Sequence, residues 1–84
     1  MQFLAKITIT LRSSILDPQG SAVVKSLQSL DYHASNVRVG KYLEVTFSAA
    51  NHADAETIIA EMCNRLLVNT VTEDYQLTLE QVEV

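Results

Sequence analysis

In the sequence FLAKITITLR, residues 3–12, apolar side chains alternate with Lys6, Thr8, Thr10 and Arg12, and Leu4 is the one apolar residue among the alternate positions. The apolar positions are Phe3, Ala5, Ile7, Ile9 and Leu11. A period of two over ten residues, rich in isoleucine and threonine, predicts a β-strand with one buried face and one wetter face.

The segment that follows predicts a helix over residues 18–31. Asp17 can cap free backbone N–H groups, and Pro18 is well tolerated at the first helical position. An apolar stripe with helical spacing follows, formed by Val23, Val24, Leu27 and Leu30. Gly20 lies in the first turn, where glycine is a poor helix former. A close backbone approach to another element or a partner would explain this glycine, and so would chance.

Residues 37–47 predict two strands joined near Gly40-Lys41. Leu43, Val45 and Phe47 alternate with polar residues and mark the second of these strands. A two-residue turn would place Val37 on the wrong face. A longer loop, or a bulge with Gly40 at positive φ, returns that valine to the core side.

A second helix and a last strand complete the chain. Asn51 is a good cap, Asp54 suits the third helical position, and Asn69 is a plausible stop. The apolar stripe of this helix is Ala55, Ile58, Ile59, Met62, Leu66 and Leu67. The final strand alternates through Tyr75, Leu77 and Leu79.

The apolar positions then change parity to Val82 and Val84. This change is compatible with a bulge, a frayed tail or a segment that serves another face. Because the last strand is predicted to be an edge strand, we expect Val82 and Val84 to lie in an oligomer interface.

The resulting order is β-α-β-β-α-β in a single domain, residues 1–84. This order is typical of the α+β, ferredoxin-like fold. We therefore expect a four-stranded antiparallel sheet with strand order 4-1-3-2 and both helices on one face.

Charge and composition limit the classes of function. The net charge is −4 and the isoelectric point is about 4.9, which argues against nucleic-acid binding. Residues 1–42 carry five basic and two acidic side chains, whereas residues 43–84 carry one basic and eight acidic ones. No stretch has the features of a membrane span or a secretory signal, so we expect a cytoplasmic protein.

The residues that could carry chemistry do not form a recognisable set. Cys63 is predicted near the end of the second helix, where a packing role is favoured over a reactive thiolate. His33 and His52 lie on separate loops without the spacing of metal ligands. Of the aromatics that an RNA-recognition sheet needs, the central strands offer only Tyr42. We therefore expect no catalytic residue and no metal site in this chain.

Three stretches resemble the PurS family, the small subunit of phosphoribosylformylglycinamidine (FGAM) synthase. They are LDPQG at residues 16–20, VRVGKYLE at 37–44 and EMCNRLLVN at 61–69, the last running on to Glu73-Asp74-Tyr75. The resemblance covers nearly the whole chain in order. Asp31 and Thr70 depart from the family pattern, which often has glycine and proline at these two positions.

The resemblance implies a role in the fourth step of purine biosynthesis, in which formylglycinamide ribonucleotide, glutamine and ATP yield FGAM. In that family a synthetase subunit, PurL, activates the amide with ATP, and a glutaminase subunit, PurQ, releases ammonia. The small subunit is non-catalytic, associates with itself and holds the other two together. ATP and Mg²⁺ would then be bound by the synthetase, and this chain would need no cofactor.

Residues outside the predicted core within the resembling stretches are the candidate partner contacts. They are Asp17, Gln19, Gly20, Arg38, Lys41 and Tyr42. Local capping and turn geometry could account for several of them equally well. The alternative function is a homo-oligomeric regulatory module that binds a small molecule, a role for which this fold is often used.

Overall fold

The computed structural model describes residues 1–82 as a three-stranded antiparallel sheet with two helices. The strands are β1 (Gln2–Leu11), β2 (Gly40–Ser48) and β3 (Glu73–Val82), and the sheet order is β2-β1-β3. The helices are α1 (Pro18–Ser29) and α2 (His52–Met62), and α2 continues as a π-helical stretch, Cys63–Leu67. Within residues 1–82, neither helix is long and apolar enough to cross a membrane.

The central strand β1 carries the core. Its side chains at Phe3, Ala5, Ile7 and Ile9 are at most 1% exposed. Ile7 is paired with Leu43 on β2 and with Leu77 on β3, so three apolar rows lie on the same face of the sheet. We call this the helix-side face, because α2 packs on it through Ala55, Ile59 and Cys63, which are all fully buried.

The start of α2 agrees with the capping pattern in the sequence. The Asn51 side chain accepts a hydrogen bond of 2.8 Å from the backbone N–H of Asp54. The helix ends earlier than Asn69, at Met62, and the backbone then widens into the π-helical turn. That turn keeps Cys63 in the core but leaves Leu66 82% exposed. Leu66 was predicted to belong to the buried stripe, and that prediction is wrong.

The predicted four-stranded, ferredoxin-like sheet of order 4-1-3-2 is wrong as well. The chain forms strand only from Gly40 onward, so Val37 and Val39 do not build the expected second strand. The N–H of Val39 donates to the Asp17 carboxylate instead of to a neighbouring strand. Nor does Gly40 adopt positive φ. A Cβ there would overlap the carbonyl oxygen of Ile9 on the paired strand, which explains the glycine without a turn.

Helix α1 does not pack on the sheet of its own chain, although its apolar stripe predicted that it would. Gly20 is the single buried residue of α1, and no α1 side chain joins the core cluster described for residues 1–82. The chain leaves the sheet after Leu11 and returns at Gly40, whose partner is Thr10. Residues 12–39 therefore start and end at the same end of the sheet, and we call them the arm.

The arm reverses direction after α1 through a well-formed helix stop. The N–H of Tyr32 donates to the carbonyl of Leu27, and that of Asp31 donates to the carbonyl of Gln28. This pair of bonds is the Schellman arrangement, which places one residue in the left-handed region. That residue is Asp31, with φ of 67°.

We expect Asp31→Gly to stabilise the arm. Glycine adopts the left-handed conformation without strain, whereas an L-residue with a side chain there costs about 1 kcal/mol. Replacement also removes a negative charge from a helix C-terminus. The midpoint of thermal unfolding, followed by circular dichroism, should rise by roughly 4–8 °C. Asp31→Ala is the matched control, because it removes the charge but keeps the backbone strain. An equal rise in both variants would contradict the backbone explanation.

Candidate functional site

The two ends of the arm meet at one end of the sheet, and we call this region the root of the arm. The carboxylate of Asp17, which is only 4% exposed, holds the root together. One oxygen accepts from the N–H of Gly20 at 2.9 Å and so caps α1. The other accepts from the N–H of Val39 at 2.7 Å, at the point where the chain returns to the sheet. A single side chain therefore joins the outgoing and returning halves of the arm.

These two backbone donors also fix the charge of Asp17. The N–H of Gly20, followed by that of Val39, favours the ionised carboxylate, and the nearby Arg38 guanidinium acts in the same direction, so the pKa of Asp17 is lowered. A group with a lowered folded pKa stabilises the fold above its unfolded pKa, and this contribution is lost as pH falls through the folded pKa. The junction is therefore intact at neutral pH.

Arg38 also joins the two ends of the arm, by hydrogen bonds from its side chain to backbone carbonyls. Its Nη2 atom donates to the carbonyls of Arg12 at 2.8 Å and Ile15 at 2.9 Å, with a longer contact of 3.4 Å to Leu11. The carbonyls of Arg12 and Ile15 belong to the irregular segment between β1 and α1, and that of Leu11 ends β1. The guanidinium thus holds the end of β1 and the segment that follows it by hydrogen bonds to their backbone carbonyls.

Gly20 allows the two halves of the arm to meet. A Cβ at this position would overlap the carbonyl oxygen of Val37. The glycine in the first turn of α1 therefore reflects a close backbone approach, one of the two explanations that the sequence left open. We call Asp17, Gly20 and Arg38 the clamp.

The remaining candidate residues lie around the clamp or beyond it. Gln19 and Lys41 line a shallow cleft of about 300 Å³ at the root of the arm, on the helix-side face. Lys41 Nζ lies 3.7 Å from the Glu73 carboxylate. Tyr42 lies on the opposite face, where its hydroxyl donates to Glu44 at 2.8 Å; that hydrogen bond raises the pKa of Tyr42. The structure therefore separates Tyr42 from the other five.

The two C-terminal candidates are placed only in part. Val82 ends β3, is partly buried and is paired with Gln2 on β1. Val84 lies outside the described residues. Their assignment to an oligomer interface stays a prediction.

The cysteine and histidines occupy separate places. Cys63 is fully buried, and burial raises the pKa of its thiol. His52 contacts Glu56 at 3.1 Å in the first turns of α2, with its ring 6.0 Å from that of Phe3. His33 lies in the arm, beside the stop of α1. Within residues 1–82, no three His, Cys, Asp or Glu residues are grouped as metal ligands would be.

The structural roles of two residues were not predicted from the sequence. Arg12 donates to the carbonyl of Thr70 and lies 3.4 Å from Asp74, so it joins the arm to the start of β3. Glu73 contacts Lys41 and also accepts from the N–H of Asn69 at 2.8 Å. The sequence feature that could have indicated both roles is position: Arg12 directly follows β1, Glu73 begins β3, and these two strand ends are paired beside the arm.

The comparisons with known proteins bear on this arrangement. Residues 4–81 match a family model described as PurS, phosphoribosylformylglycinamidine (FGAM) synthase. The chain belongs to the PurS family. Its resemblance to that family, inferred from three sequence stretches, is thereby confirmed.

Members of the PurS family are similar to the chain over nearly its whole length. PurS from Bacillus subtilis is 43% identical, over 95% of this chain and 95% of that protein. A structure of B. subtilis PurS covers 94% of this chain and 99% of its own, with a TM-score of 0.84 and 42% identity. A structure of PurLQS from Thermotoga maritima contains a chain with a TM-score of 0.85 at 28% identity, covering 95% of this chain and 99% of that one.

Proposed function

We propose that this chain is the non-catalytic assembly subunit of an FGAM synthase, joining a synthetase subunit to a glutaminase subunit. The observation that carries the proposal is the similarity to the T. maritima chain in PurLQS, which extends across both the sheet and the arm. In this proposal the chain acts in the fourth step of purine biosynthesis, in the cytoplasm.

The partners that we propose are PurL, PurQ and a second copy of this chain. PurL holds ATP and Mg²⁺, PurQ releases ammonia from glutamine, and this chain needs no cofactor of its own. Joining the two enzymes has a clear physical benefit. Ammonia that escapes to water is protonated. When PurL and PurQ are joined by this chain, the transfer of ammonia between them becomes an effectively intramolecular step.

The geometry divides the candidate contact residues into two groups. Gln19, Lys41 and Tyr42 are exposed and can reach a partner directly. The clamp residues are committed to contacts within the chain, so we assign them the indirect role of fixing the direction of the arm. A rigid arm loses less conformational freedom on binding than a mobile one.

A regulatory ligand-binding module is the second candidate. It is favoured by one observation, a cleft of about 370 Å³ between α1 and the returning half of the arm. Its polar lining includes Lys25, Ser35 and Asn36. Binding of a small molecule that altered the oligomeric state, without any need for PurL or PurQ, would favour this alternative.

The assembly proposal is tested by mixing the chain with purified PurL and PurQ. We expect the three to co-elute in size-exclusion chromatography with light scattering. Lys41→Glu should weaken the complex by about tenfold, since it places a repulsive charge in the proposed contact. Lys6→Glu is the matched control, because it makes the same charge change and also breaks one surface ion pair, that with Glu80. Elution as three separate species would contradict the proposal, and equal behaviour of the variants would show that Lys41 is not a contact.

A further inference from the structure

The arm forms a cleft between α1 and the segment that returns to the sheet. Its volume is about 370 Å³, which is within the ~300–1,000 Å³ of sites that hold small molecules. One wall is a single face of α1, and the other wall is residues 35–38. The α1 residues of the first wall share helical spacing and are Ser21, Val24, Lys25 and Gln28.

The two walls of this cleft are tied together at both ends. At one end Gly20 lies against the carbonyl of Val37, as part of the clamp. At the other end the side-chain amide of Gln28 donates to the carbonyl of Ala34 at 3.1 Å. The eight residues from Gly20 to Gln28 span about 12 Å of helix. The cleft is therefore formed before any ligand arrives, as most small-molecule sites are.

The cleft is positively charged in a chain that is acidic overall. Lys25 and Arg38 lie on its opposite walls. The carboxylate of Asp17 also lines it, but both oxygens of that carboxylate accept backbone N–H groups of the clamp and its surroundings. The ion pairs within residues 1–82 include neither Lys25 nor Arg38. These two cations are therefore available to attract an anion from solution.

The cleft also has a surplus of hydrogen-bond donors. A guanidinium has five N–H groups, and Arg38 uses only those of Nη2 for its bonds to backbone carbonyls. The backbone N–H groups of residues 35–38 donate to no backbone carbonyl within residues 1–82. The hydroxyls of Ser21 and Ser35 and the amide of Asn36 are further donors. This surplus suits a ligand group with several acceptor oxygens.

The rest of the lining is apolar. Val24 and Val37 are partly buried and belong to opposite walls of the cleft, and Leu16 lies beside the clamp. A ligand that consisted of charge alone would leave these side chains in contact with water. A ligand that also has an apolar part would cover them and gain from their burial.

We propose that this cleft binds a small organic phosphate monoester, with its phosphate between Lys25 and Arg38 and its apolar part against Leu16, Val24 and Val37. A phosphate monoester carries a charge of about −1.5 to −2 at pH 7 and three strong acceptor oxygens. It therefore matches two cations and a surplus of donors better than a singly charged group does. The inference goes beyond the assembly role and names the ligand class for the cleft that favours the second candidate function.

The test titrates the purified, ¹⁵N-enriched chain with phenyl phosphate and follows the chemical shifts of its amides. Phenyl sulfate is the matched control ligand, because it has the same ring and a similar group of oxygens but only one negative charge. Inorganic phosphate is the second control, because it lacks the ring. We expect phenyl phosphate to cause saturable shifts in residues 21–28 and 35–38, and each control to bind about tenfold more weakly.

Each ligand can contradict one part of the proposal. Equal affinity for phenyl sulfate would contradict recognition of the second charge, and equal affinity for inorganic phosphate would contradict the apolar contact. Shifts that do not saturate, or that lie only outside residues 16–38, would contradict the site itself.

Lys25→Gln tests the charged wall. Lys25 is exposed and lies outside the clamp, so its replacement should leave the fold and the far-ultraviolet circular dichroism spectrum unchanged. Lys6→Gln is the matched control, because it removes the same charge from the opposite face of the sheet. We expect Lys25→Gln to weaken the binding of phenyl phosphate by about tenfold and Lys6→Gln to bind it like wild type. Equal affinity in both variants would contradict a phosphate at Lys25.

The outcome is independent of assembly, because the titration contains neither PurL nor PurQ. Absence of binding would contradict this inference and leave the assembly role intact. Light scattering of the saturated chain separates the inference from the second candidate function. Binding that leaves the oligomeric state unchanged would support the site and contradict a regulatory module that acts through oligomerisation.

Discussion

Gly20→Ala is expected to open the root of the arm and to abolish assembly with the partner subunits. The added methyl group would overlap the carbonyl oxygen of Val37, and backbone cannot yield as the end of a flexible side chain can. Overpacking of this kind costs about 1–3 kcal/mol, and we expect the upper end here. The strain also separates Asp17 from the N–H groups of Gly20 and Val39.

The effect should be local, because the sheet and α2 form their core without α1. Amide hydrogen exchange is the suitable measurement, since it reports opening of one region at a time. We expect amides of residues 20–32 to lose most of their protection, while those of β1 keep theirs. Ser26→Ala is the control, because it adds no contact and slightly favours helix. Undiminished protection in the arm of Gly20→Ala would contradict the role of the clamp.

The sheet was predictable from the sequence where the polar and apolar residues alternate strictly. β1 begins and ends within a residue or two of its predicted limits, and Leu43 and Leu77 lie on the same face as Ile7, as the pattern required. Such patterns are informative because a shift of one residue would expose the whole apolar row. Capping by Asp17 and Asn51 was predictable for a similar reason, since each bond is local.

The missing strand was not predictable in this way. Val37 and Val39 have the side chains of a strand. The contacts of residues 37–39, however, are made with residues that lie between 17 and 26 positions earlier in the chain. Asp17 takes the N–H of Val39, and Arg38 reaches back to the carbonyls of Arg12 and Ile15. A pattern within one window cannot report such contacts, because tertiary contacts override local strand preference.

The direction of α1 escaped prediction for a related reason. An apolar stripe shows that a helix face is buried, but it does not show against which chain. The stripe of α2 lies largely on its own sheet, whereas Val23 and Leu30 remain exposed in the described chain. The candidate contacts were similarly ambiguous. Asp17 and Gly20 are buried in the clamp, and Arg38 is exposed but donates to carbonyls of its own chain. Gln19, Lys41 and Tyr42 are exposed, and the role of all six as partner contacts stays a prediction.

Omission of this chain from a reconstituted FGAM synthase is the second large effect that we expect. If the chain joins PurL to PurQ, its loss leaves both catalytic centres intact and interrupts only the transfer of ammonia between them. Synthesis of FGAM from glutamine should then fall by at least a hundredfold. Reactants that are held in place react as if one were present at about 10⁵ M or more, and free ammonia never reaches such a concentration. Synthesis from added ammonium salt should persist, since the proposed function assigns that chemistry to PurL alone.

The ratio of glutamine-dependent to ammonia-dependent FGAM synthesis, measured with and without this chain, therefore tests the central claim most directly. The assembly function predicts that adding the chain raises the glutamine-dependent rate steeply and changes the ammonia-dependent rate by less than about twofold. Gly20→Ala should fail to restore the glutamine-dependent rate, whereas Ser26→Ala should restore it fully. Equal stimulation of both rates would show that the chain acts on the synthetase chemistry itself, and would contradict an assembly role.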